Sequence, residues 1–404
     1  MNKYERIVSA LKEQNPYFEM IRQGLKPEEI KQHVIESLVP YFDHKEILEQ
    51  FAIEALIPES INLLKLQKDK SSFKMFQECF CTYRLTKGKD SQHCFESLAQ
   101  WQPQILQSLS KFWSILYLEL DKNTLEIEEF LHESLRNIGD IIEGLIKPYL
   151  KILLHQIRIS NGILAARETI DSLDLGTVVD ELIKTGQLTD HLMPPPWSIR
   201  LNQWRNIAYH HDAKIENNEI ICWYGTKPNI KQIRLQRHEL LHAVHTIYGV
   251  YGPIRLAHTL FFTDNLMEIT KFHMLIEERQ EAQFLTFFSG IASQGFEIIE
   301  YRNSLDETKV VVKDVSDMDP NQRRFHASQF LFPLWLFTKS KLITLEYREK
   351  NNTPNLLASV RSNVCEKIYS GELEPEALAK LANMFDLKNN KVIPPLNQGQ
   401  GSKE

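Results

Sequence analysis

Arg205 and His210 stand five positions apart in Trp204-Arg205-Asn206-Ile207-Ala208-Tyr209-His210-His211, an R-N-x-x-x-H pattern with a second histidine directly after the first. A histidine that titrates near neutral pH can take a proton from a ribose 2′-hydroxyl or give one to a leaving oxygen. A permanently charged guanidinium can hold the phosphoryl oxygens while negative charge redistributes. The pairing therefore suits cleavage of RNA by its own 2′-hydroxyl, chemistry that calls for neither cofactor nor metal. On a straight helix, residues five apart lie about 140° around the axis. Arg205 and His210 then meet on one ligand only if the helix end is distorted or both side chains converge.

A second pattern competes with the first. His238-Glu239-Leu240-Leu241-His242 is a literal H-E-x-x-H, in which two histidines one helical turn apart can share a zinc and the glutamate can act as base on its bound water. A zinc peptidase built on His238 and His242 is thus the alternative enzyme. It needs a third ligand, for which Glu277, Glu278 and Glu281 lie on a later helix at a distance where one zincin class places its glutamate, while Arg234 and Arg237 crowd the site with positive charge. Cys79, Cys81, His93 and Cys94 are metal ligands by type, but their spacing fits no zinc module, and buried free thiols are the favoured account.

Charge along the chain is uneven. Residues 200–237 carry seven Lys or Arg against three acids, a local +4 within a protein of net charge -6. Arg200, Lys214, Lys231, Arg234 and Arg237 are accordingly expected to face RNA phosphates, with Trp204, Tyr209 and Trp223 available to stack a base. The bland reading of the same residues is a solvated face over buried aromatics.

The elements that must position these residues are mainly helical. Helical runs cover Lys45 to Leu64 and Leu98 to Leu118, where Trp101, Trp113 and Tyr117 are expected in the core. Asn123 with Glu126 reads as a capping box. A long helix should follow, because Leu131, Leu135, Ile138, Ile142, Leu145, Tyr149 and Leu153 form one stripe at steps of three and four. Pro148, one turn after Gly144, should kink it. The helix is expected to stop at Ser160-Asn161-Gly162, with shorter helices to Leu173 and over 175–183, and Pro194-Pro195-Pro196 breaks the chain before a run from Trp197 to His211. A hairpin turning at Asn217-Asn218 comes next, then a helix from about Arg234 to Thr263. Beyond it, helices over 268–289 and 321–338 and strands at 296–301, 309–314 and 341–347 predict a small α+β module.

Residues 123–265 resemble the HEPN (higher eukaryotes and prokaryotes nucleotide-binding) family of the R-x4-6-H ribonuclease type. The resemblance rests on the long helix with Gly139, Glu143 and Lys147-Pro148, the Leu175-Gly176 helix, and Trp197 to Leu201 leading into Arg205-Asn206. It extends through His210-His211 to the hairpin ending Ile221-Cys222-Trp223-Tyr224-Gly225. It implies a four- or five-helix bundle that pairs as a homodimer, so that two motifs meet in one cleft. It further implies metal-independent cleavage of RNA, a tRNA loop being one plausible substrate, by a toxin or anti-phage defence effector governed by an antitoxin or a phage-derived trigger. Arg205 and His210 take the catalytic places and Asn206 the polar place after the arginine. His211 also satisfies the family's variable spacing. Catalytically silent HEPN members that only bind RNA or protein are the third alternative.

The organisation expected is a helical N-terminal region over 1–120, the HEPN-like bundle over 121–265, the α+β module over 266–372, and a short helix with a disordered tail over 373–404. With 404 residues, five scattered cysteines and no window of uncharged apolar residues long enough to span a bilayer, the expectation is a cytoplasmic protein with reduced thiols and no membrane partner. The start, MNKYERIVSALKEQ, reads as an amphipathic helix rather than a signal peptide. A net charge of -6 excludes coating of nucleic acid by bulk positive charge.

Overall fold

The computed structural model describes residues 21, 23–53, 55–116, 125–186, 188–272 and 280–394. Along the chain, α1 (Pro27–Leu38), α2 (Lys45–Phe51) and α3 (Ile57–Leu66) precede two long helices, α4 (Lys70–Lys89) and α5 (Ser91–Leu116). α6 (Ile127–Asp140) runs through a π-helical turn at Ile141–Ile146 into α7 (Lys147–Ser160). Next come α8 (Arg167–Asp171), α9 (Leu175–Lys184), α10 (Thr189–Leu192) and α11 (Leu201–His210), then β1 (Ala213–Glu216), β2 (Glu219–Tyr224), β3 (Lys231–Leu235) and α12 (Arg237–Asp264). The remainder holds α13 (Leu266–Ile269), α14 (Gln280–Ser293), β4 (Phe296–Asn303), β5 (Glu307–Asp314), α15 (Pro320–Ser328), α16 (Leu331–Thr338), β6 (Leu342–Arg348), β7 (Pro354–Arg361), α17 (Ser362–Tyr369), α18 (Ala377–Leu381), β8 (Asn383–Asp386) and β9 (Lys391–Ile393).

The chain divides into two compact units, one comprising Leu38–Leu48 and Asn62–Arg279, the other Met1–Ser37, Glu49–Ile61 and Gln280–Glu404. The expected boundary at 120 does not coincide with this division, because α4 packs against α12 and α7, and α5 against α7. The two long helices α4 and α5 therefore belong to the core of the bundle, whereas α1 falls in the other unit. A long helix with more than one apolar face needs partners on each, and α12, buried at positions from Leu240 to Asp264, packs against α4, α6, the π-helical turn and α7.

The stripe read from the sequence is the buried face of α6, the π-helical turn and α7: Leu131, Leu135, Ile138, Ile142, Leu145, Tyr149 and Leu153 are all buried. Its break comes where Pro148 and Gly144 predict one. The Lys147 amide donates to the Ile142 carbonyl five residues back, which widens one turn before Pro148. α7 ends at Gly162, whose φ of +78° permits the Ile163 amide to return to the Arg158 carbonyl and Gly162 itself to Ile159, a Schellman closure. Trp101 is fully buried as expected. The Trp113 side chain, Tyr117, Asn123 with its capping box, the N-terminal amphipathic run and the last ten residues lie outside the described residues.

Two expectations are corrected here. Helix is absent from Trp197 to Arg200, and α11 starts at Leu201, where Arg200 and Gln203 close a capping box. The helix expected from Arg234 begins at Arg237, and residues 231–235 form a third strand instead, giving the sheet order β1-β2-β3. Lys231-Gln232-Ile233-Arg234-Leu235 alternates with period two, and pairing with β2 satisfies its backbone, so Arg234 and Leu235 belong to a strand and not to the start of the helix.

In the other unit a six-stranded sheet runs in the order β4-β5-β6-β7-β8-β9, antiparallel except for β5 with β6. The parallel pair requires a crossover, and α15 and α16 supply it. The expected α+β character holds, but strands β7, β8 and β9 were not anticipated. Residues 383–393, expected in a short helix and disordered tail, complete the sheet, their turn held by Asp386, which accepts from the Lys388 and Asn389 amides and the Asn389 side chain. One buried ion pair ties the sheet to α15: Arg323 Nε donates to Asp314 Oδ2 at 2.9 Å, and Tyr347 Oη donates to the same oxygen at 3.1 Å.

Candidate functional site

The R-N-x-x-x-H segment sits on α11, which lies antiparallel along α6 and the π-helical turn. Three contacts define the seam. Arg205 Nε donates to Glu143 Oε1 at 2.7 Å. The Tyr209 ring covers Gly139 so closely that a Cβ there would stand 3.2 Å from Cε2. His211 stacks on His132 with ring centroids 6.0 Å apart and an interplanar angle of 10°. As the numbers fall along α6 they rise along α11, so Arg205, Tyr209 and His211 form one row.

Glu143 is offered by the π-helical turn and holds two cations, since Lys147 Nζ donates to its other oxygen at 2.7 Å. Burial raises the carboxyl, but Lys147 and then Arg205 outweigh it and leave Glu143 below the ordinary carboxylate range. The guanidinium also donates to Asn206 Oδ1 at 3.2 Å and lies 4.9 Å over the Tyr209 ring. Tyr209 remains 47% exposed, and its hydroxyl is shifted up by burial, then by Asp140 and Glu143. Arg205 is thus anchored through Nε to Glu143 and through Nη1 to Asn206, while its side chain stays one-third exposed.

The end of α11 sets the two histidines apart. α11 stays helical through His210, which keeps His210 about 140° round the axis from Arg205. His211 adopts φ +51°, and the Asp212 amide returns to the Ile207 carbonyl, a Schellman closure with histidine where glycine usually stands. Two further bonds tie this turn to the hairpin: Ala213 donates to the His211 carbonyl at 2.7 Å, and Trp223 to the Asp212 carbonyl at 2.8 Å. The left-handed residue turns the His211 ring onto His132. It is therefore His211, not His210, that shares the seam with Arg205.

The local +4 does not gather on one surface. In the register of the small sheet, Lys214 pairs with Ile221 and Ile221 with Arg234, so Lys214 and Arg234 share a face with Trp223. Lys231 pairs with Tyr224 and belongs to the opposite face. Several of these cations have a partner of their own: Arg200 bonds Asp180, and Arg237 donates to the Leu125 carbonyl at 2.8 Å with Phe130 beneath it at 4.4 Å. Arg234 pairs with Glu219 at 3.1 Å and Lys214 with Glu216 at 3.6 Å. Glu143 and Asp180, which a count over 200–237 omits, supply two of these charges. Trp204 is fully buried against Trp197 and stacks no base, whereas Tyr209 is exposed and Trp223 half-buried.

The H-E-x-x-H residues occupy the first turns of α12. The Glu239 carboxylate accepts from the Gln236 amide at 2.7 Å, as the helix's capping group. The His242 ring lies 5.3 Å from Trp197. Among the described residues no three side chains of metal-binding type come together; the Glu277, Glu278 and Glu281 side chains lie outside them. Cys79 and Cys94 are buried on α4 and α5, Cys81 is exposed, and burial pushes the Cys94 thiol up to about 12. Glu143 and His132 are the residues that sequence reasoning passed over as functional. Glu143 carried a signal in its place one turn before Lys147-Pro148; His132 carried none.

No family model matches the chain, and no curated protein or solved structure matches it either. No described helix is long and apolar enough to cross a membrane.

Proposed function

We propose that this protein is an endoribonuclease of the HEPN type, cleaving a single-stranded stretch of RNA such as a tRNA loop by attack of the 2′-hydroxyl. The observation that carries the reading is the row along α11: an arginine anchored by Glu143, an exposed tyrosine, and a histidine at the helix end. Arg205 and His211 are separated by about 9 Å along the axis, a gap that an arginine side chain and an imidazole close from its two ends onto a phosphate over Tyr209. The guanidinium neutralises the phosphoryl oxygens, its Nε fixed by Glu143 so that little order is lost on binding. Imidazole moves the proton. Tyr209 offers a face to a neighbouring base. A cytoplasmic defence effector or toxin acting as a symmetric dimer, under an antitoxin or a phage-derived trigger, accords with the family resemblance.

The test is cleavage of total RNA by the purified full chain in EDTA. Products ending in 2′,3′-cyclic phosphate and 5′-hydroxyl are expected, and their loss in Arg205→Ala ties them to this site. Intact RNA with the unaltered protein, or hydrolysis to 3′-hydroxyl ends, contradicts the reading.

A further inference from the structure

Cleavage by a 2′-hydroxyl has two proton transfers. As the new bond from the 2′-oxygen to phosphorus forms, the hydroxyl proton must go to a base. As the bond from phosphorus to the 5′-oxygen breaks, that oxygen must receive a proton to leave as a hydroxyl. A lone histidine serves one of these at a time. Within one chain the R-x4-6-H pattern names one such group, and His211 has left the helical path that His210 still follows.

His132 is the other imidazole on the seam. It reaches the site from α6, a separate element, and its ring lies parallel to that of His211 at 6.0 Å. Both residues are exposed, so a ligand can reach the two rings from solvent. An imidazole on each flank of a phosphate matches the reaction, whose attacking and leaving oxygens sit on opposite sides of phosphorus. The stack also has a backbone cost. His211 occupies a left-handed position, φ +51°, that glycine takes without strain, and the ring meets His132 only because a side chain is present there.

We propose that His132 is a second catalytic residue, paired with His211 as the acid and base of RNA cleavage. This rests on the ribonuclease reading. In the cycle one neutral imidazole takes the 2′-hydroxyl proton, and the other, protonated, gives its proton to the 5′-oxygen. The products are a 2′,3′-cyclic phosphate and a 5′-hydroxyl, with one proton moved from one ring to the other and no change in oxidation state.

The test measures His132→Ala, His132→Gln and His211→Ala in the full chain on two substrates: a single-stranded oligoribonucleotide, and a uridine 3′-phosphodiester with a p-nitrophenol leaving group that departs without a proton. All three variants should lose more than about a hundredfold on the oligoribonucleotide. On the activated ester, the variants of one histidine should recover to within about tenfold of the parent while the other stays impaired, which identifies the acid. His132→Gln keeps the bulk of the ring, so its thermal unfolding should match the parent's. His132 variants that cut the oligoribonucleotide as fast as the parent overturn the pair and leave the ribonuclease reading standing. Equal loss on both substrates by all the variants also overturns it, because that marks His132 as structural. A parent protein that leaves RNA intact removes both proposals.

Discussion

At the scale of single residues, Arg205 commits Nε to Glu143 and one Nη1 hydrogen to Asn206, and offers the other N–H groups of its guanidinium to a ligand. Arg205→Ala should lower cleavage more than about a hundredfold. Arg205→Lys should recover little of it, because an ammonium has no fork to divide between Glu143 and a phosphate. The two should unfold within about 1 kcal/mol of the parent, the scale of a partly exposed pair, in urea titrations followed by circular dichroism. A much larger loss of stability would recast Arg205 as a structural residue. His211 makes the opposite kind of prediction. Relieving its left-handed backbone, His211→Gly should stabilise the protein by about 1 kcal/mol while abolishing cleavage. His210→Ala should be the milder histidine change, and equal activity loss in both would return the motif to the five-residue step.

At the scale of elements, the helices of the bundle enclose groups that titrate only on unfolding. His258 on α12 is packed among Tyr83, Tyr149 and Phe262, and burial, with Arg255 adding to it, pushes its pKa down to about 3. Its unfolded value is near 6.5, so the folded state binds fewer protons between these limits. The contribution is fully present above pH ~6.5 and falls as pH drops, by about 1.4 kcal/mol per unit. At pH 5 the parent should have lost about 2 kcal/mol that a His258→Leu variant does not lose; parallel pH profiles in urea unfolding would contradict this. The sheet unit depends on the Arg323 and Asp314 pair, both fully buried. Asp314→Ala leaves a guanidinium unpaired in the core and should cost about 3–5 kcal/mol. A loss under 1 kcal/mol in the same titration would mean that the carbonyl of Gln294 and nearby water suffice.

For the whole molecule, cations that pair with acids at home contribute little to binding through counterion release. Arg200, Arg205, Lys214 and Arg234 all have carboxylate partners. Binding of a single-stranded RNA should therefore involve about two or three phosphate contacts, a log–log salt slope near -2. A slope steeper than about -4 would reveal a basic surface assembled in another way, such as across a dimer. That dimer is the expected assembly, since a second copy doubles the charge around the scissile phosphate, and light scattering at the mass of one chain would contradict it.

Periodicity alone determined the helices of the bundle, because a stripe from Leu131 to Leu153 has to be buried and a proline must be accommodated where Pro148 stands. It likewise determined the first hairpin, whose turn residues Asn217 and Asn218 take positive φ as asparagine readily does. Chemistry-bearing residue types at a usable spacing were equally legible at Arg205 and His210, with His211 as the second spacing. What only the tertiary structure decided depends on which element lies beside which. Strand β3 exists because β2 offers it partners, the segment charge of +4 is dispersed because Glu143 and Asp180 arrive from other helices, and Trp204 is lost to the core. That His211 and not His210 lies against His132 follows from one left-handed residue at a helix end. His132, 79 positions earlier in the chain, meets it there because α6 and α11 pack antiparallel, a juxtaposition that no local pattern encodes.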